Sequence, residues 1–204
     1  WEGLYDALSA GQFDAILSAL PYDPWRTKEA LYSISYFNAG PVLVVRDDSF
    51  IQKISDLNQQ KIAFPAPNAL GASLMIRQEL QNKFNIEFTP VYVKSHDSVY
   101  LNVVVGVTAA GGGVQNTLNQ QKPGVKNKLR VLHTTQKVNP HPFSALPSVP
   151  KALRQAVTNA LLELGQTAEG RELLSQIPIG QTGVASMDDY LPLKTLQIAP
   201  LDRR

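Results

Sequence analysis

Cysteine is missing altogether from the 204 residues. That excludes structural disulfides, thiolate metal sites and cysteine nucleophiles, and it fits an extracytoplasmic protein. Long apolar runs are missing too, since no stretch approaches the roughly 18 residues that a membrane-spanning helix needs. Neither sign of charge dominates: 19 Lys and Arg stand against 17 Asp and Glu, a formal net charge of +2 spread along the chain. No basic block is interleaved with aromatics, so nucleic acid is not an expected partner. The cluster Lys122, Lys126, Lys128 and Arg130 reads as a solvated helix face. Catalytic signatures are scarce as well, with no nucleophile elbow, no usefully placed pair of carboxylates and no metal-ligand spacing. Nothing orders Ser73, Ser95 and His96 as a triad, and His133 and His141 are assigned no site. The expectation is a chain that is not an enzyme and needs no cofactor. No signal-peptide pattern is seen, and Trp1 opens what reads as mid-helix, so a mature or trimmed fragment is expected.

What is present is ample apolar material, 44% of the residues, enough to bury the core of one large domain or of two small lobes. Residues 1–10 carry Leu4, Ala7 and Leu8 at helical spacing, and residues 13–20 read as a buried strand. Pro21 and Pro24 force a loop through Thr27. The run Pro41-Val-Leu-Val-Val-Arg46 is strongly strand-forming. A regular alternation follows: strands at 61–64, 88–93, 108–110 and 129–134, with helices at 72–84, 97–105 and 114–120 between them. Such a rhythm predicts βαβ units and a mostly parallel sheet. Helices are predicted at 150–165 and 167–177, with a short irregular tail over 187–196. No internal repeat or low-complexity tract appears.

Strand 41–46 leaves one α/β region and strand 129–134 is placed to return to it. The predicted organisation is therefore a discontinuous lobe of residues 1–43 and 131–204, with a second α/β lobe, residues 44–130, inserted into it. Two connecting strands between two lobes make a hinge beside a cleft, where ligands usually bind.

The stretch Lys61-Ile-Ala-Phe-Pro-Ala-Pro-Asn-Ala-Leu-Gly-Ala-Ser73 organises the inserted lobe. A strand breaks at two prolines, turns, and feeds a helix opening near Gly71. The first turn of a helix leaves backbone N–H groups unpaired, and together with the helix dipole they favour an anion. Candidate donors are Asn68, Ala69, Leu70, Gly71, Ala72 and Ser73. A second helix start, Ser95-His96-Asp97-Ser98, adds Ser95 and Ser98, with capping as the alternative role for Ser95. His96 adds an imidazole able to donate to an oxyanion. Arg26 is the basic candidate, because guanidinium holds oxyanions by paired donors, and Tyr22 and Trp25 can wall a cleft. Gly112, within Gly111-Gly112-Gly113, either lets backbone approach a ligand or makes a tight turn.

The segments Leu17-Ser-Ala-Leu-Pro-Tyr-Asp-Pro-Trp-Arg-Thr27 and Tyr32-Ser-Ile-Ser-Tyr-Phe37 resemble the first-lobe signature of type II periplasmic solute-binding proteins. Residues 64–73, 94–100 and 110–113 resemble the phosphate, phosphite and phosphonate branch of that family. The resemblance implies two Rossmann-like lobes joined by a two-strand hinge, the first lobe lacking its opening β–α–β segment. It implies a periplasmic or otherwise extracytoplasmic binder that passes a small oxyanion to an ABC transporter permease. The same lobe plan also serves sensor domains of membrane signalling proteins and effector domains of transcription regulators. Amino-acid binders of this family place a carboxylate after the strand that here carries Gly111–Gly113, to pair with the ligand ammonium. No carboxylate stands there, and an unpaired buried ammonium is costly. A plain anion is therefore expected over an amino acid.

Overall fold

The computed structural model describes residues 3–16, 31–35, 40–136, 138, 142–176, 182–184 and 187–191. Its contacts divide the chain into two compact units, one of Trp1–Asn38 with Val138–Leu193 and one built on Ala39–Lys137.

The middle unit carries a five-stranded sheet. Its strands are β3 (Pro41–Arg46), β4 (Lys61–Phe64), β5 (Thr89–Tyr92), β6 (Ala110–Val114) and β7 (Leu129–Thr134), in the order β5-β4-β6-β3-β7. β4 is parallel to β5 and β6, whereas β3 is antiparallel to both β6 and β7. β4, β5, β6 and β7 therefore run in one direction and β3 alone runs against them, so the sheet is mostly parallel, as expected, with a single antiparallel strand. The chain enters this unit on β3 and leaves it on β7, and two strands of opposite travel paired side by side must be antiparallel.

β3 forms because five of its six residues are Pro, Val and Leu, buried throughout. Proline sits at the first position, where a strand tolerates it best. The run is continuous rather than alternating because both faces of the sheet are covered. Leu43 and Val45 pack with Ile62, Phe64, Ile76 and Leu80 on one face; Val42 and Val44 pack with Tyr100, Val103 and Leu118 on the other. The first face receives α2, a continuous helix whose ends are π-helical (Leu70–Met75 and Glu79–Lys83) around one α-helical turn (Ile76–Gln78). The second receives α3 (His96–Val104). The short helices α4 (Gln115–Asn119) and α5 (Pro123–Lys126) lead back to β7.

β6 departs from the sequence reading, which ended a strand at Ala110 and made the glycines a turn or a ligand approach. Gly111, Gly112 and Gly113 are the strand, paired with Val44, Leu43 and Val42. A Cβ on Gly111 would lie 2.5 Å from Val99, one on Gly112 would meet the Ala72 carbonyl and the Phe64 ring, and one on Gly113 would meet the Tyr100 hydroxyl. Close approach of helix to strand, rather than turn geometry, explains the three glycines.

In the other unit, β1 (Ala15–Ile16), β8 (Pro142–Ala145) and β2 (Leu31–Ser35) form an antiparallel sheet in the order β1-β8-β2. Of the expected strand 13–20, residues 13–16 are described and only Ala15–Ile16 of them is strand, and β2 and β8 were not anticipated. Leu8 of α1 (Leu4–Ser9) packs with Ile16, Phe13 and Leu146. Two longer helices, α6 (Lys151–Gln166) and α7 (Ala168–Gln176), match the expected pair, and Leu164, Leu174 and Phe143 meet in a small cluster.

Candidate functional site

The order β5-β4-β6 decides where the site lies. The chain runs from β4 through α2 to β5 on one side, then from β5 through α3 to β6 on the other. Two crossovers of the same hand in opposite directions put α2 and α3 on opposite faces. Because the three strands are parallel, the loops leaving β4 and β5 and the end of β6 share one edge of the sheet. This is a topological switch point, where open α/β sheets bind ligands. The Val93 N–H donates to the Phe64 carbonyl at 2.9 Å, tying the two loops together at that edge.

At the start of α2 the chain passes from Ala69, extended at φ −68° and ψ 109°, into a π-helical turn. The N–H groups of Ser73 and Leu74 both donate to the Ala69 carbonyl, at 2.9 and 3.0 Å. That leaves Leu70, Gly71 and Ala72 with N–H groups that meet no protein acceptor among the described residues. Turns of π type recur at functional sites. Ser73 is fully buried, and its hydroxyl donates to the Ala66 carbonyl at 2.5 Å, so this expected side-chain donor is engaged inside the loop. Asn68 and Ala69 are half-buried at the turn.

α3 starts in the manner its sequence suggests. Ser95 is the N-cap: its Oγ accepts from the Ser98 N–H at 3.1 Å and donates to the Ser98 Oγ at 2.9 Å. Capping is therefore its observed role. The N–H groups of His96 and Asp97 remain without protein acceptors among the described residues. Lys94, just before the cap, takes φ +73°, a region rare for any residue but glycine. His96 is half-buried and its Nδ1 is fully enclosed with no hydrogen-bond partner. Burial lowers its pKa below the ordinary 6.5, against the opposing pull of Asp97. The folded state therefore disfavours the imidazolium; the stability gained from a neutral ring is present above about pH 6.5 and erodes as pH falls. The Asp97 carboxylate accepts from Gln121 Nε2 at 2.7 Å.

The described residues thus bring together, at one sheet edge, Asn68–Ala72 and Ser95–Ser98, with fully buried Gly112 behind them in β6. Tyr22 and Arg26 lie outside the described residues, as does Trp25. The residues following β6 are Gln115, Asn116 and Thr117, so no carboxylate follows the strand even with its corrected end.

Two side chains stand out: Arg77, which the sequence reading did not single out, and His133, to which it assigned no site. Arg77 lies on α2 one turn beyond Ser73, reaches back to donate to the Pro67 carbonyl at 3.4 Å, and sets its guanidinium 5.9 Å from the Tyr92 ring. Its Nε is buried without an acceptor. The i to i+4 spacing from Ser73 is the signal that could have found it. His133 donates from Nε2 to Glu79 at 2.7 Å, and Glu79 also accepts from the Gln136 N–H at 3.2 Å. A cavity of about 460 Å³ opens beside that pair, lined by Gln78, Glu79, Asn82, Lys83 and Gln136 among others. It lies between α2 and the residues at the end of β7, and its wall carries the Glu79 carboxylate, which disfavours an anion there.

Residues 30–190 match the family model described as ABC transporter, phosphonate, periplasmic substrate-binding protein. No curated protein sequence matches the chain. Among solved structures, a binding protein component of an ABC phosphonate transporter from Pseudomonas aeruginosa is similar with a TM-score of 0.78 at 13% identity, over 95% of this chain and 70% of that one. XAC2383 from Xanthomonas citri, solved with chloride and with ATP, is similar with a TM-score of 0.74 at 14% identity, over 95% of this chain and 78% of the chloride-bound one. An ancestral arginine-binding protein bound to arginine gives a TM-score of 0.64 at 16% identity, over 86% of this chain and 76% of that one. At such identities the likeness concerns the fold, here the type II periplasmic binding protein fold.

Proposed function

We propose, because this chain belongs to the family of periplasmic substrate-binding proteins of phosphonate ABC transporters, that it captures a small oxyanion of the phosphonate, phosphite or phosphate type and delivers it to a permease. The location we infer for it is periplasmic or otherwise extracytoplasmic. One observation carries the ligand class. Two helices start at the same edge of a parallel strand trio, and unpaired N–H groups of Leu70–Ala72 and His96–Asp97 stand there beside a half-buried imidazole. Such a set offers donors and the positive ends of two helices, and it suits a compact anion without a metal. Tyr22 and Arg26 are proposed as further contacts to that anion. An amino-acid ligand would need a carboxylate for its ammonium, and the residues after β6 supply none.

The test is a thermal-shift titration against phosphate, phosphite, methylphosphonate, sulfate, glutamine and arginine. A ligand at 100 times its dissociation constant adds roughly 2.7 kcal/mol, a visible rise in the midpoint. The expected result is a rise with one phosphorus oxyanion that His96→Ala diminishes. A rise with glutamine or arginine alone would overturn the proposal and place the chain with the amino-acid binders.

A further inference from the structure

Two residues of α2 hold the loop in front of their own helix. The Ser73 hydroxyl donates to the Ala66 carbonyl at 2.5 Å and the Arg77 guanidinium donates to the Pro67 carbonyl at 3.4 Å. The loop Pro65-Ala66-Pro67-Asn68 has only two N–H groups, those of Ala66 and Asn68, because proline has none. In a trans peptide the C=O and the following N–H point in opposite directions. With the Pro67 carbonyl turned onto Arg77, the Asn68 N–H is turned the other way, and no acceptor meets it among the described residues. Arg77 is also short of partners. Its Nε is buried without an acceptor, no carboxylate pairs with it among the described residues, and the face of Tyr92 is its other neighbour. A guanidinium presents five donors in a rigid fork, which suits it to gripping a carbonyl while leaving charge unspent.

We propose that Ser73 and Arg77 are positioning residues. They pin consecutive carbonyls of the β4–α2 loop, aim the Asn68 N–H outward beside the free N–H groups of Leu70–Ala72, and set an uncompensated positive charge behind them. Ser73 thereby serves the site through Ala66 and not by touching ligand. The consequence for binding rests on the oxyanion reading above; the clamp itself does not.

The experiment records amide spectra of the free protein and titrates it with methylphosphonate at two salt concentrations, for wild type, Ser73→Ala, Arg77→Met and Arg77→Lys. Arg77→Met is expected to displace the Asn68 amide resonance before any ligand is added, weaken methylphosphonate about tenfold, and flatten the salt dependence of its affinity. Arg77→Lys keeps the charge and loses the fork, so it is expected to keep the salt dependence and still displace the Asn68 amide. Ser73→Ala is expected to displace the Asn68 and Ala69 amides. An Asn68 amide unmoved in both Arg77 variants, or wild-type affinity in Arg77→Lys, overturns the clamp. If Arg77→Met does not fold, Arg77→Lys carries the same comparison. A wild type that ignores methylphosphonate and the other oxyanions sinks the ligand class, while the spectra of the free proteins still decide the clamp.

Discussion

The two units solve the burial problem differently. In the middle unit a sheet is covered on both faces, and Leu43, Val44, Phe64 and Tyr100 are wholly withdrawn from solvent. In the unit built from both ends of the chain, α6 runs for 16 residues and buries none of them fully. The buried apolar residues described there are Leu8, Ile16, Ala145, Leu174 and Tyr190. Donors at a sheet edge can hold a compact anion only if the strands and helices that aim them stay fixed. The candidate helix starts belong to the unit with the two-faced core, where α2 and α3 are each wedged against β6 through its glycines. Precision at the site is thus carried by packing in the middle unit.

The largest expected effect is on that core. Phe64 lies at the end of β4, fully buried, with ring centroids 6.0 Å from Phe88 and 6.4 Å from Tyr92. Phe64→Ala removes the ring and leaves a cavity under the turn into α2, and should cost about 3–5 kcal/mol. Urea unfolding of the variant checks it; a loss under about 1 kcal/mol would mean that the two-faced core does not dominate the stability of this unit.

A smaller effect is expected at Tyr100, on the opposite face. Its hydroxyl lies 2.7 Å from Thr117 Oγ1 and donates to the Val114 carbonyl at 3.2 Å. Burial raises its pKa from the ordinary 10.0 to about 12, although the hydrogen bonds to Thr117 and Val114 pull the other way. The folded state thus holds a proton that the unfolded chain loses first. The stability concerned is complete below pH 10 and is lost as pH rises toward 12, roughly 2–3 kcal/mol in all. Tyr100→Phe should cost about 1 kcal/mol at pH 7 and remove that alkaline loss. Unfolding free energies of both proteins at pH 7, 10 and 11.5 check it, and parallel pH profiles would sink the claim.

How much of this was legible in the sequence differs between the units in the same way. The strand and helix rhythm of residues 41–134 could be read because each element there meets a covering layer and carries a continuous or periodic apolar signal. The turn before α2 and the cap of α3 were legible from Pro65, Pro67 and Ser95, whose chemistry acts within a few residues. Gly111–Gly113 misled because glycine is a poor strand former, and the reason for it lies in Val99, Tyr100 and Ala72, which only the fold brings near. The antiparallel direction of β3 escaped for a like reason, since its pairing with β7 joins residues about ninety positions apart. Arg77 escaped because its partners are a carbonyl and a ring face, so that its i to i+4 spacing from Ser73 was the one mark it left in the sequence. In the unit from the chain ends, β2 and β8 gave no clear periodic signal, and the expected contacts of Tyr22 and Arg26 fall outside the described residues.

The smallest expected effect closes the comparison from the other side. Leu153 sits near the start of α6 with 56% of its surface exposed, and its neighbours Ala152 and Ala156 are exposed as well. Truncation to alanine removes little buried area, and alanine is slightly the better helix former, so the two small terms oppose each other. Leu153→Ala should therefore shift stability by less than about 0.5 kcal/mol. Because two compact units need not unfold together, the check is hydrogen exchange of amides in α6 and in β3 for the same variant, in place of one global midpoint. Unchanged protection in both would support the contrast between the two-faced core and the shallow one. A drop in α6 protection equivalent to more than about 1.5 kcal/mol would show that Leu153 is gripped in solution, and the division of burial drawn between the two units would have to be redrawn.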